Sequence, residues 1–216
     1  MEEKEKSIIC FLGCKGSGKD YNSKAYIKND FKKIAFADAL REVVWDILGY
    51  HPIDDKYKNI AKDSFTYSEF KQCELFAGKK IFNFIPIISR CSSITSIRKI
   101  LQNTGSVFKE LFGENYWTNI WYKKVLEYDG NVVVTDVRFP YEINKILKLK
   151  KQGYNVTFIW CQYENADWNK IMQDKHESEA LSQFIYLHSC KYKLHDGSII
   201  DDKTIKRIIK DFMNNK

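Results

Sequence analysis

Three stretches of the chain are apolar almost without a break. Ile8-Ile9-Cys10-Phe11-Leu12 stops at Gly13, Val132-Val133-Val134 stops at Thr135, and Val156-Thr157-Phe158-Ile159-Trp160 runs up to Cys161. Runs without polar alternation suit strands covered on both faces, the habit of a parallel sheet. Between them lie helical spacings. Ile97, Ile100, Leu101, Phe108 and Leu111 share one face, as do Ile143, Ile146 and Leu147. Ile205, Ile208, Ile209, Phe212 and Met213 give an amphipathic last helix. Strand alternating with helix predicts an α/β fold built on a doubly wound parallel sheet flanked by helices. Two stretches interrupt the alternation. Residues 50–94 contain His51-Pro52, Gly78 and Pro86 with no sustained period, and predict an inserted, partly helical lobe. Residues 162–183 are polar and predict a lid. There is no internal repeat or clear linker, so the 216 residues read as one domain with these two additions.

Composition changes this picture little. Hydrophobic residues at 44% and charged residues at 29% are the balance of a globular chain. Charge adds more: 35 Lys and Arg against 28 Asp and Glu leave a formal +7, which favours anionic partners. The basic residues are scattered rather than blocked, which argues against nucleic acid and for small anions such as nucleotides. The six cysteines, at 10, 14, 73, 91, 161 and 190, form no C-x-x-C pair and fit reduced thiols better than a disulfide frame or a zinc site. The first apolar run is too short for a signal-peptide core or a membrane span. A soluble, cytoplasmic protein without a membrane partner is the expectation.

The residues that follow the first strand carry chemistry. Gly13-Cys14-Lys15-Gly16-Ser17-Gly18-Lys19 fits G-x-x-x-x-G-K between a buried strand and a helical stretch from Asp20 to Lys28. Glycines let the backbone turn successive N–H groups toward a phosphate, and the helix adds its N-terminal donors and partial positive charge. Lys19 is then the point charge for the β- and γ-phosphates of ATP. A plain strand–helix turn has no need of three glycines interleaved with two lysines. Asp20 stands where the usual motif has the Ser or Thr that binds Mg²⁺. Asp20 can hold that ion through water or take a proton from an acceptor phosphate; its structural alternative is to cap the helix.

The second informative run is Thr135-Asp136-Val137-Arg138-Phe139-Pro140, after the Val132–Val134 strand. Ligands of open α/β sheets gather at the carboxyl ends of strands. Asp136 is placed to hold a magnesium water, and Arg138 to clamp a phosphate, with Glu142 one turn on to orient it. The alternative is an Asp/Arg pair that merely caps the next helix. Thr95 to Phe112 reads as a helix with Arg98 and Gln102 on one face, able to offer a cation and an amide to a nucleotide. Trp117 can stack on a base, although a tryptophan is more often part of a core. His176-Glu177-Ser178-Glu179 lacks the H-E-x-x-H spacing, so a helix start is a better reading than a metal site.

Taken together, these segments resemble the phage-type deoxynucleoside monophosphate kinases, of the P-loop NMP kinase superfamily. The loop through Asp20 is similar to their G-K-D phosphate loop. Phe36-Ala37-Asp38-Ala39-Leu40-Arg41-Glu42 is similar to their second-strand motif, in which Arg41 holds the place of the acceptor-phosphate base. Ile97 to Gln102, Gly105 and Tyr116-Trp117 are similar to their acceptor helix. Thr135 to Glu142, His176 to Glu179 and Asp196-Gly197-Ser198 follow in order. The family pattern has Thr after G-K-D, where this chain has Tyr21, and residues 50–94 match it poorly. The resemblance implies a P-loop NTPase-type sheet and the reaction ATP plus dNMP giving ADP plus dNDP, with Mg²⁺; Asp20 at a helix start and Asp136 at a strand end are the carboxylates placed to hold the ion, and a homodimer is compatible with the resemblance. It implies catalytic roles for Lys19, Asp20 and Arg138, and ATP contacts from Gly13, Lys15, Gly16, Ser17, Gly18, Lys19 and Asp20. It implies acceptor contacts from Asp38, Arg41, Arg98, Gln102, Gly105, Trp117, Asp136, Arg138, Glu142, His176 and Glu179. Two other readings are a phosphomevalonate kinase of the animal type, which shares the K-x-S-G-K-D loop, and a nucleotide-binding protein without enzymatic activity.

Overall fold

The structure, a computed structural model, describes residues 6–48, 64–66, 94–163 and 165–215. They fall into two compact units, one formed by the described residues up to Ala35 and from Tyr122 onward, the other by those between Phe36 and Trp121.

The first unit holds a five-stranded, mostly parallel sheet flanked by helices. Its strands are β1 (Ser7–Leu12), β2 (Lys32–Lys33), β5 (Val132–Val134), β6 (Asn155–Trp160) and β7 (Ile199–Ile200), in the order β2-β5-β1-β6-β7. β1 lies parallel between β5 and β6, with Cys10 beside Val134 and Phe158, and only β7 runs antiparallel. This central place explains the uninterrupted apolar run. Side chains alternate faces along a strand, and Ile8, Cys10 and Leu12 on one face are as buried as Ile9 and Phe11 on the other. The second face collects Ile9, Phe11, Val133, Ile159 and Cys161, covered by Tyr26 and Phe31. Tyr26 belongs to α1 (Lys19–Ile27) and meets the Phe11 ring edge-on at 5.7 Å.

The remaining helices of this unit are α5 (Pro140–Lys150), α6 (Trp168–Met172), α7 (Glu177–Leu187), α8 (Ser189–Tyr192) and α9 (Asp202–Asn214). α5 buries Ile143, Ile146 and Leu149. α9 buries Ile205, Ile208 and Phe212, whereas Met213, expected on the same face, is 55% exposed in the last turn. The stretch predicted as a lid comprises α6, the turn after it and the first half of α7.

The second unit contains α2 (Asp38–Leu48), the antiparallel pair β3 (Ser64–Thr66) and β4 (Ile94–Ser96), and α3 (Ile97–Phe112), followed by the first half of α4 (Tyr116–Glu127). The buried stripe of α3 is Ile100, Thr104 and Val107. Leu111, one turn further, is 59% exposed, so the face predicted from spacing ends before the helix does. Most of the predicted insertion, 50–94, lies outside the described residues, as do Cys73 and Cys91. No helix among the described residues is long and apolar enough to cross a membrane.

Candidate functional site

The chain leaves β1 at its carboxyl end and turns at once through the glycine loop into α1. Gly13 has φ +148°, and a Cβ there would overlap the Cys161 carbonyl oxygen and Ser17 Oγ, so the loop is pressed against the end of β6 too closely for any side chain. Gly18, the N-cap of α1, is left-handed at φ +86°. The Lys19 side chain folds back over this loop. Its ammonium donates to the carbonyls of Gly13 and Cys14, each at 2.6 Å, and to Ser17 Oγ at 3.3 Å. Only 8% of Lys19 is exposed. Burial, and next the nearby Arg138 guanidinium, pull its pKa from 10.5 down to about 8, against the opposing pull of Glu179. Burial likewise pushes the Cys14 thiol up to about 12. Cys10, Cys14, Cys161 and Cys190 are all free thiols.

Asp20 does not cap α1. It sits one residue inside the helix, and its Oδ1 accepts from Lys33 Nζ at 2.6 Å and from Thr135 Oγ1 at 3.0 Å. Burial would raise its pKa, but those two hydrogen bonds and the charge of Lys33 outweigh burial and hold it below its ordinary value. The carboxylate is thus anchored between the ends of β2 and β5 while its side chain stays 76% exposed. Lys33 carries no distinguishing mark in the sequence, and Thr135 only opens the run through Pro140. The available signal was their position at strand ends, Thr135 directly before Asp136 and Lys33 directly before the apolar Ile34-Ala35-Phe36.

Beyond β5, Pro140 occupies the first turn of α5, where its missing N–H costs nothing. Glu142 accepts from the main-chain N–H groups of Arg138 at 2.6 Å and Phe139 at 3.0 Å, which ties down the helix start. Burial, and then the charge of Asp136, push its pKa up to about 8. Glu142 therefore orients the Arg138 backbone. The Arg138 guanidinium is held by a different residue: Nη1 donates to Glu179 Oε1. Glu179 Oε2 in turn accepts from the main-chain N–H of Lys15 in the glycine loop, at 3.2 Å. Burial alone would lower the Arg138 pKa, but Glu179 and Asp136 keep it above its ordinary value. The loop, Lys19, Asp20, Asp136, Arg138, Glu142 and Glu179 all belong to one unit. His176 is the N-cap of α7, its Nδ1 accepting from the Ser178 N–H at 3.2 Å, which agrees with the helix-start reading.

The other sequence-derived positions lie in the second unit. Asp38 and Arg41 open α2 and pair at 2.9 Å. The motif that contains them forms a turn and a helix start here; the strand before it is β2. Trp117 is half-buried, donates from Nε1 to the Gly105 carbonyl at 3.1 Å and packs on Phe108 with centroids 5.1 Å apart. Its ring is thus part of the α3–α4 packing, and Gly105 takes part through its carbonyl. Gln102 is half-buried on α3. Arg98 lies in the first turn of α3, and its side chain falls outside the described residues.

A resident Mg²⁺ needs only one or two carboxylates besides phosphate oxygens and water. Asp20 fits that demand: an exposed carboxylate, ionised at neutral pH, held by Thr135, the residue before Asp136. Among the described residues there is no group of three or more His, Cys, Asp and Glu that could hold a metal without such a phosphate partner. No protein-family model matches the chain, and no curated protein matches it significantly.

Proposed function

We propose that the protein is a phosphotransferase of P-loop NTPase type that passes the γ-phosphoryl group of ATP to a deoxynucleoside monophosphate. The observation that carries this reading is the loop between β1 and α1: three glycines leading into a helix start and a buried lysine, beside an arginine that follows the adjacent strand β5. Phosphoryl transfer asks a protein for alignment and charge neutralisation more than for covalent chemistry. Lys19 and Arg138 supply two positive charges on one unit, and Arg41 and Arg98 are the cations of the acceptor-side helices on the other. Repulsion between two phosphoryl groups at ~4 Å amounts to several kcal/mol at an effective dielectric near 20, so Lys19 and Arg138 have a defined task. A pKa near 8 keeps Lys19 mostly charged at neutral pH, and an incoming phosphate would raise it further. Asp20 and Asp136 would hold Mg²⁺ through its waters; when bound, the ion neutralises phosphate charge. An acceptor phosphate is already a competent nucleophile, so no strong general base is required.

The test is ADP release from Mg·ATP with a panel of the four dNMPs, the four NMPs and phosphomevalonate. Turnover with at least one dNMP supports the reading. Turnover with phosphomevalonate alone reassigns the acceptor. Nucleotide binding without turnover on any acceptor makes the protein a nucleotide-binding module rather than a kinase.

A further inference from the structure

Glu179 is the most deeply buried carboxylate in the vicinity of the loop, with 1% of its surface exposed. It is the third residue of α7. A Glu at that position commonly turns back to the N-cap N–H of its own helix. Here the N-cap is His176, and its N–H donates to Asp174 Oδ1 at 3.1 Å. Glu179 is turned onto the loop instead, where its two oxygens take the Lys15 main-chain N–H and the Arg138 guanidinium. A loop amide and a guanidinium are the donor types that grip a phosphoryl group. The charge of Glu179 also acts on Lys19 and on Cys14, so it lies within the field of the loop.

We propose that Glu179 is a phosphate surrogate: its carboxylate occupies the donors of one nucleotide phosphate and must withdraw, with the first turn of α7, for the nucleotide to bind. The proposal rests on the reading of the loop as a nucleotide-phosphate site. While Glu179 stays in place, the Lys15 N–H and the Arg138 Nη1 donor are taken, so the cost of displacing it is subtracted from nucleotide affinity. The displaced carboxylate has an alternative among the N–H groups at the start of its own helix, which favour an anion. Binding of phosphate and rearrangement of residues 174–182 are thereby coupled.

Glu179→Gln keeps the shape and removes the charge. Calorimetric titration with Mg·ADP, which allows no transfer, and with adenosine, which has no phosphate, compares the variant with the wild type. The expected result is roughly tenfold tighter ADP binding in E179Q and unchanged adenosine binding. Equal or weaker ADP binding in E179Q overturns the proposal and makes Glu179 a positioning residue for Arg138. Failure of ADP to bind the wild type overturns the reading of the loop, and this proposal with it. Hydrogen exchange on the wild type needs no folded variant: ADP should protect residues 13–19 and deprotect 176–182. Protection of both segments together refutes the surrogate role.

Discussion

Lys19 is held in a way that opposes stability, and Lys19→Met measures by how much. The ammonium is nearly out of solvent, and burial leads the fall of its pKa from 10.5 to about 8. Keeping it charged at pH 7 therefore costs the native state roughly 3 kcal/mol relative to an unfolded chain in which it titrates normally. The three hydrogen bonds to Gly13, Cys14 and Ser17 offset part of that cost and disappear in the variant, so the net gain expected for K19M at pH 7 is ~1–2 kcal/mol. The sign with pH follows from proton counting. Between pH 8 and 10.5 the unfolded state binds more protons at Lys19 than the native state does. The penalty is thus complete below pH 8 and is relieved as pH rises toward 10.5. Equilibrium urea unfolding followed by tryptophan fluorescence, at pH 7.0 and pH 9.5, reads both effects. The wild type should gain ~2 kcal/mol on K19M between those two pH values. In the transfer assay the same variant should lose at least ~10²-fold in turnover if, as proposed, Lys19 stabilises the charge of a transferred phosphoryl group. A parallel pH dependence in the two proteins, or a K19M less stable than the wild type at pH 7, refutes this account of the loop.

Three further outcomes follow from the site. Asp20→Asn and Asp136→Asn should each lower Mg·ATP-dependent turnover and regain part of it at higher Mg²⁺, and an unchanged Mg²⁺ titration in both would remove these carboxylates from ion binding. Arg41→Ala and Arg98→Ala should raise KM for the dNMP more than KM for ATP in steady-state kinetics, and a selective rise for ATP would place them on the donor side. Gly13→Ala should cost ~2–4 kcal/mol in urea unfolding, because its Cβ meets the Cys161 carbonyl; Gly16→Ala, with φ +79° and open space around its Cβ, should cost only the ~1–2 kcal/mol of a left-handed alanine, and equal losses would contradict the close approach.

Local pattern was sufficient for much of this molecule. Three apolar runs marked the three strands buried on both faces, β1, β5 and β6, within a residue of their ends. The glycine spacing marked the loop, because the backbone turn and its donors arise from neighbouring residues. Short elements escaped: β2 and β7 are two residues each, too brief for any period, and exist because β5 and β6 offer them an edge. Helix faces were legible only as far as a packing partner extended, so Leu111 and Met213 came out exposed. The partners of the charged groups lay beyond sequence altogether. Asp20 meets Thr135 across 115 positions, and Lys15 meets Glu179 across 164. Charge and spacing suggested Glu142 as the orienting group for Arg138, one helical turn away. Strand order decided otherwise, since laying β5 beside β1 brings Arg138 to the glycine loop, where the start of α7 delivers Glu179. Periodicity reports which face of an element is buried; which charges then meet depends on how elements far apart in the chain are stacked, and that is a property of the folded sheet.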